Sequence, residues 1–192
     1  MRERFRQLTL ISYTICFSWL AMMAVHEFGH ALTGWLTGGT VRRIVLPIVG
    51  FSRTDLSTNP HLLAVAWGGC VWGSLLPLAL FAALPRSISR FWFLAKFFAG
   101  FCCIANGAYL AGGVWLAAGD AGDLLAHGAQ RWHLVAFGIP AIALGLWLWN
   151  GIGPNFGLGR QQGHVDKLTA EMAAGICAAI IAMYTILAIT TN

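Results

Sequence analysis

From Leu8 to Trp35 the chain reads LTLISYTICFSWLAMMAVHEFGHALTGW, apolar apart from hydroxyls until His26. A helix needs about 20 predominantly apolar residues to cross a bilayer. This stretch supplies nearly all of them before its first ionisable side chain. The paired glycines Gly38-Gly39 end it, since glycine breaks a helix at little cost. The preceding Met1-Arg2-Glu3-Arg4-Phe5-Arg6 imitates a secretory signal. No small-residue cleavage site follows, and the apolar run leads straight into His26-Glu27, so a retained first span is expected.

The rest of the chain repeats the pattern. Apolar stretches run from about His61 to Leu84, Phe91 to Ala118, Trp132 to Asn150 and Leu168 to Ile189. Hydrophobic residues make up 58% of the 192, charged ones 10%, and mean hydropathy is +0.70. Soluble domains carry roughly 25% charged residues, so this composition excludes a water-soluble globular domain and a disordered tail. The expected fold is all-α: one polytopic membrane domain over residues 1–192 with five transmembrane helices. A net charge of +5 is too small and scattered for a nucleic-acid groove, and suits anchoring residues at a lipid bilayer. Cys16, Cys70, Cys102, Cys103 and Cys177 all fall in apolar runs and read as small hydrophobes. Arg2, Arg4, Arg6, Arg86, Arg90, Lys96, Arg160 and Lys167 on one side, against Arg42, Arg43, Arg53 and Arg131 on the other, favour an inside N-terminus.

Two connections stand out. Thr40 to Thr54, TVRRIVLPIVGFSRT, is β-prone and predicts a short hairpin, with Pro47 restricting it to an edge strand. Such an edge could take an extended substrate by β-augmentation. Asn150 to Gly163, with five glycines and Pro154, reads as a plain flexible turn. Gly34-x-x-x-Gly38 and Gly69-x-x-x-Gly73 predict close helix approach.

The first span carries the chemistry. His26-Glu27-Phe28-Gly29-His30 is an HExxH. Residues four apart on a helix stack on one face a turn apart, so both imidazoles reach one metal ion. Zinc suits two neutral imidazoles and leaves room for a carboxylate and a water. Glu27 follows the first ligand and is placed to take a proton from that water. With six His and three Glu, chance yields such a motif only about 0.003 times. Three ionisable groups in five spanning residues also cost a few kcal/mol each, which calls for compensation.

A third ligand is needed. Asp120 and Asp123, just past the third span and on the same side as the HExxH, are the leading candidates; Asp55, Asp166, His61, His127, His133 and His164 are others. Asn106 lies fourteen residues before Asp120, about 40° from it on one face if the helix continues. Its amide would hold a substrate backbone or oxyanion, or simply make an interhelical hydrogen bond.

HExxH in the first span, its Gly-rich end, the β-prone segment and Asp120-Ala121-Gly122-Asp123-Leu124-Leu125 beside the third span resemble the site-2 protease family. Those are zinc metallopeptidases that cut within the membrane. Their third ligand is the aspartate of an Asp-Gly-Gly-x-x-Leu motif, which in register points to Asp120. The family's Asn-x-x-Pro is missing here, and Trp67-Gly68-Gly69 stands where many relatives have Gly-Pro. The resemblance implies a small bacterial member in the cell (inner) membrane, cutting transmembrane or juxtamembrane peptide substrates. It also implies an orientation opposite to the charge count. His26, His30 and an Asp without use for Glu27 would instead suit a non-catalytic metal-binding protein, such as a transporter or sensor subunit.

Overall fold

A computed structural model describes residues 2–85, 89–161 and 163–190, with the side chains of 89, 90 and 190 left out. Of the charges counted toward orientation, Arg86 lies outside the described residues, and so does the side chain of Arg90. Helix α1 (Arg2–Leu36) is followed by strands β1 (Thr40–Val45) and β2 (Arg53–Thr58), then α2 (Leu62–Ala83), α3 (Ser89–Leu116), α4 (Gly119–Ala126), α5 (Arg131–Trp149) and α6 (Lys167–Thr190). All but α4 are long and apolar enough to cross a membrane. They match the five expected spans to within a few residues, except that α1 starts six residues earlier.

Helix α1 is the hub: α2 and α6 pack on it, while α3 packs on α2 and α5. Small residues set these seams. A Cβ at Gly29 would collide with the Gly68 carbonyl, so α1 and α2 meet backbone to backbone. On α3 and α5 the glycines recur seven apart, a spacing the motif reading did not consider. A Cβ at Gly100 would lie 3.0 Å from the Gly145 carbonyl, and one at Gly107 2.7 Å from that of Gly138. Two turns of helix separate each pair, so one antiparallel seam of close backbone contact forms.

Four expectations change. The third helix stops at Leu116: Ala117 takes φ 45°, Ala118 is extended and Gly119 takes φ 56° before α4 begins. The broken turn lets amphipathic α4 fold back, seating Ala121 and Leu124 with Leu110, Val114 and Leu134. Asn106 and Asp120 therefore do not share a continuous helix. The 150–163 connection is not a plain flexible turn. It holds two 3₁₀ turns, Gly153–Phe156 and Gly159–Gln161, and buries Phe156 against Phe93 at 5.1 Å between ring centres. The Gln7 amide donates to the carbonyls of Phe156 and Gly157 at 3.0 and 2.9 Å, tying this turn to α1. Third, Gly34 faces Leu56 of the hairpin rather than another helix, and Gly38 (φ 79°) ends α1.

The hairpin is present and antiparallel, pairing Thr40 with Thr58 and Val45 with Arg53 around irregular steps. Pro47 falls in the turn between the strands, not on an edge strand. The hairpin folds back along α1, with Leu56 over Gly34 and Thr54 beside Glu27. Arg43 donates to Asp55 at 2.6 Å and Arg53 lies 3.3 Å from it. The Arg43 hydrogen bond, with the charge of Arg53, holds the Asp55 carboxyl below its ordinary range.

If the α3–α5 seam sets the bundle, Gly138→Leu should cost about 1–3 kcal/mol or more through overpacking. Gly175→Leu, where a Cβ meets nothing within 4 Å, should cost far less. Thermal unfolding in detergent reads the difference, and equal losses would contradict the seam.

Candidate metal centre

The i, i+4 spacing puts His26 and His30 on one face of α1, about 9 Å or more below its C-terminal end. Both imidazoles turn toward α2, where Gly69 gives them room. A Cβ there would collide with His30 Nε2 and sit 2.7 Å from His26 Nε2. One turn on, Gly73 gives room to Asn106, whose Nδ2 would lie 2.9 Å from such a Cβ. The break after α3 delivers Asp120 from the other side.

Three donor atoms converge. His26 Nε2 lies 3.1 Å from His30 Nε2, and Asp120 Oδ2 lies 2.9 Å from the first and 3.2 Å from the second. Among the described residues these three form the one group able to hold a metal. The far side of each ring fixes its tautomer. The Val65 carbonyl can only accept, so His30 donates to it through Nδ1–H at 2.7 Å. The Asn106 amide donates through Nδ2 to the Cys102 carbonyl at 2.9 Å, which turns its Oδ1 toward His26 Nδ1 at 2.7 Å. Neutral imidazoles protonated at Nδ1 present bare Nε2 lone pairs. Two such lone pairs and a carboxylate oxygen at about 3 Å repel unless positive charge lies among them.

That charge is a proton or a metal ion. Without metal, an imidazole protonated at Nε2 can donate to Asp120. Burial alone would raise the Asp120 carboxyl, but hydrogen bonds from His26 and His30 outweigh it and hold it well below the usual carboxylate range. The donor set also fits a divalent cation. Metal–ligand arms of about 2.0–2.1 Å imply donor separations of about 2.9 Å in an octahedron and about 3.3 Å in a tetrahedron. The observed edges, 2.9, 3.1 and 3.2 Å, lie within that interval. Ligating histidines usually donate their second nitrogen to a carbonyl or polar side chain, as both do here.

Asp123 does not join: its side chain is exposed, and its carbonyl accepts from the His127 backbone N–H at 3.0 Å and ring at 2.7 Å. His133 lies tilted against the Trp132 ring and accepts from the Gln130 N–H at 2.9 Å. Asp55 is paired with arginines, and His61 is exposed. Asn106 has both ends of its amide engaged, orienting His26.

Glu27 is 3% exposed, and its carboxylate faces the hairpin. The Ser52 hydroxyl donates to Oε1 and that of Thr54 to Oε2, each at 2.7 Å. Sequence reasoning missed Tyr109, one turn after Asn106 on α3. Its hydroxyl accepts from the Asp120 backbone N–H at 3.0 Å, and its ring meets His26 edge-on at 5.9 Å between centres. It also missed Ser52 and Thr54. Only the alternation of Ser52 and Thr54 in the hairpin could have marked them. The Cys70 thiol lies 4.0 Å from Asp120 Oδ2.

No protein-family model, characterised protein or solved structure matches the chain.

Metal analysis of chain purified in detergent should find about one divalent ion per molecule, lost in His26→Ala and Asp120→Ala and kept in Asp123→Ala. Tyr109→Phe should weaken metal affinity by about tenfold or more, as loss of outer-shell partners does. Binding as tight as in the unaltered chain would deny Tyr109 that role.

Proposed function

We propose that the chain is an intramembrane zinc metalloprotease that hydrolyses peptide bonds of transmembrane or juxtamembrane substrates. The observation that carries this reading is a buried glutamate placed next in sequence to one of two converging imidazoles, with a third, carboxylate donor opposite. A carrier or sensor of metal ions has no use for that carboxylate. Hydrolysis does. Among ions that accept two imidazoles and a carboxylate, zinc brings no redox chemistry, which suits a site that sets a base beside those ligands.

His26, His30 and Asp120 would hold the ion, with Asn106, Val65 and Tyr109 orienting them. A bound zinc would acidify the attacking water and polarise the scissile carbonyl. Glu27 takes the proton from that water as its oxygen bonds to the carbonyl carbon. It then passes the proton to the leaving nitrogen as the C–N bond breaks. The Tyr109 hydroxyl accepts from Asp120 and keeps its own proton to offer a developing oxyanion.

Water must reach the site, and the hairpin supports that. Helix α1, with 35 residues, is about 52 Å long, well beyond the ~30 Å hydrocarbon core. Arg43, Arg53 and Asp55 lie in the hairpin whose second strand reaches Glu27, in the last third of that helix. The hairpin tip is apolar and open, with Val49 90% and Phe51 89% exposed. A charged stem and an apolar tip suit a ribbon standing in the interface and dipping toward lipid.

Glu27→Gln should lower cleavage of fluorescein-labelled casein, or of a synthetic transmembrane peptide in detergent, by about 10²–10⁴-fold while metal content stays at one. Metal retained together with undiminished cleavage would remove Glu27 from the chemistry.

A further inference from the structure

Two hairpin hydroxyls have no part in the scheme above, yet they make the only side-chain hydrogen bonds to Glu27 among the described residues. Residues i and i+2 of an extended chain point to the same face. Ser52, just before β2, and Thr54, its second residue, flank Arg53 in this way and both turn toward α1. Each meets a different oxygen of one carboxylate at 2.7 Å. Their register is fixed from below. A Cβ at Gly34 would sit 2.7 Å from Leu56 Cδ2 and one at Gly39 3.3 Å from it, so the missing side chains seat Leu56 against α1. With Leu56 seated, Thr54 and Ser52 fall two and four residues further along the same face.

An ionised carboxylate only accepts, and offers about four lone-pair sites. Two hydroxyl donors leave one site free on each oxygen. The bonds therefore hold the group without blocking it. A glutamate has three rotatable bonds, and charge-assisted hydrogen bonds to both oxygens remove that freedom.

We infer that Ser52 and Thr54 are positioning residues for Glu27, a two-point clamp through which the hairpin sets the orientation of the base. The inference rests on the reading of Glu27 as the general base. It makes the hairpin part of the catalytic apparatus, since any movement of the ribbon along α1 moves both donors relative to the carboxylate.

The test uses the whole chain in detergent, loaded with Co²⁺, with acetohydroxamic acid as the probe. A hydroxamic acid ligates the metal and gives its proton to the neighbouring base, so its affinity, read from the cobalt visible spectrum, reports where the Glu27 carboxylate stands without any substrate. The double variant Ser52→Ala/Thr54→Val should take up cobalt like the unaltered chain but bind the probe about tenfold more weakly. Ser52→Thr and Thr54→Ser, which keep the hydroxyls, should bind within about twofold of the unaltered chain. Glu27→Gln should weaken the probe at least as much as the double variant. If Glu27→Gln weakens the probe and the double variant does not, the clamp is overturned and the base stands. If Glu27→Gln binds as tightly as the unaltered chain, or the unaltered loaded chain binds no probe, the reading of Glu27 as base falls. Cobalt lost in a folded double variant would give the hydroxyls to the metal site's structure and overturn the clamp. Should the double variant not fold, Ser52→Ala and Thr54→Val singly carry the same comparison.

Discussion

Three electron-rich atoms held about 3 Å apart in a buried pocket are the constraint on which the rest of the molecule depends. His26 Nε2, His30 Nε2 and Asp120 Oδ2 come from two helices that meet only through the fold. Left unpaired, buried polar groups of this kind cost about 1–3 kcal/mol each, and charged ones more. The chain makes that demand sharper by spending the other ring nitrogens on Val65 and Asn106. Proton or cation, something positive must fill the centre.

Much of the surrounding architecture consists of side chains left out. Gly69 clears the imidazoles, Gly73 clears Asn106, and Gly29 lets α2 come close enough for either to matter. A leucine at any of these places would be ordinary in a spanning helix and incompatible with this centre. The same logic explains the break after α3. Ala117 stands at φ 45°, where a residue bearing a Cβ costs of order 1–3 kcal/mol. The strain sits three residues before Asp120, and the reversal it permits is what turns Asp120 back toward α1. Burial of Ala121 and Leu124 offsets it.

The five long apolar helices were legible because each is a long apolar run bounded by glycine, proline or charge, and hydropathy reads such runs directly. HExxH was legible because its geometry is local: four residues on a helix fix the relation of two imidazoles. The residues by themselves offered Asp120 and Asp123 together, and only the register of the resemblance favoured Asp120; the geometric choice turns on a left-handed residue at Ala117 that no propensity announces. Asn106 was singled out for its distance from Asp120 along a helix that in fact stops at Leu116. Its actual partner, His26, is 80 residues away, and contacts at that separation leave no periodic trace. Gly69 and Gly73 of α2 were read as helix-packing positions. What they admit is the rings and the amide of the centre. Tyr109, Ser52 and Thr54 lie beyond reach for the same reason, being ordinary residues until tertiary structure brings them to Asp120 and Glu27.

The hairpin ties these levels together. Among the described residues the ribbon has two strands, which leaves one edge of each without a strand beside it, and unpaired backbone groups are not tolerated against hydrocarbon. In a bilayer, therefore, the ribbon can lie along α1 only where water or another chain satisfies that edge. Its charged stem, Arg43, Arg53 and Asp55, makes the same demand more strongly. Because β2 is also the strand that reaches Glu27, the polar surroundings that the ribbon needs to exist are delivered at the depth of the carboxylate. A peptide that satisfied the open edge would be extended, with its carbonyls exposed as a helix never leaves them. The physical requirement that limits where such a ribbon can stand is thus the one that would bring both water and an unwound backbone to the proposed base.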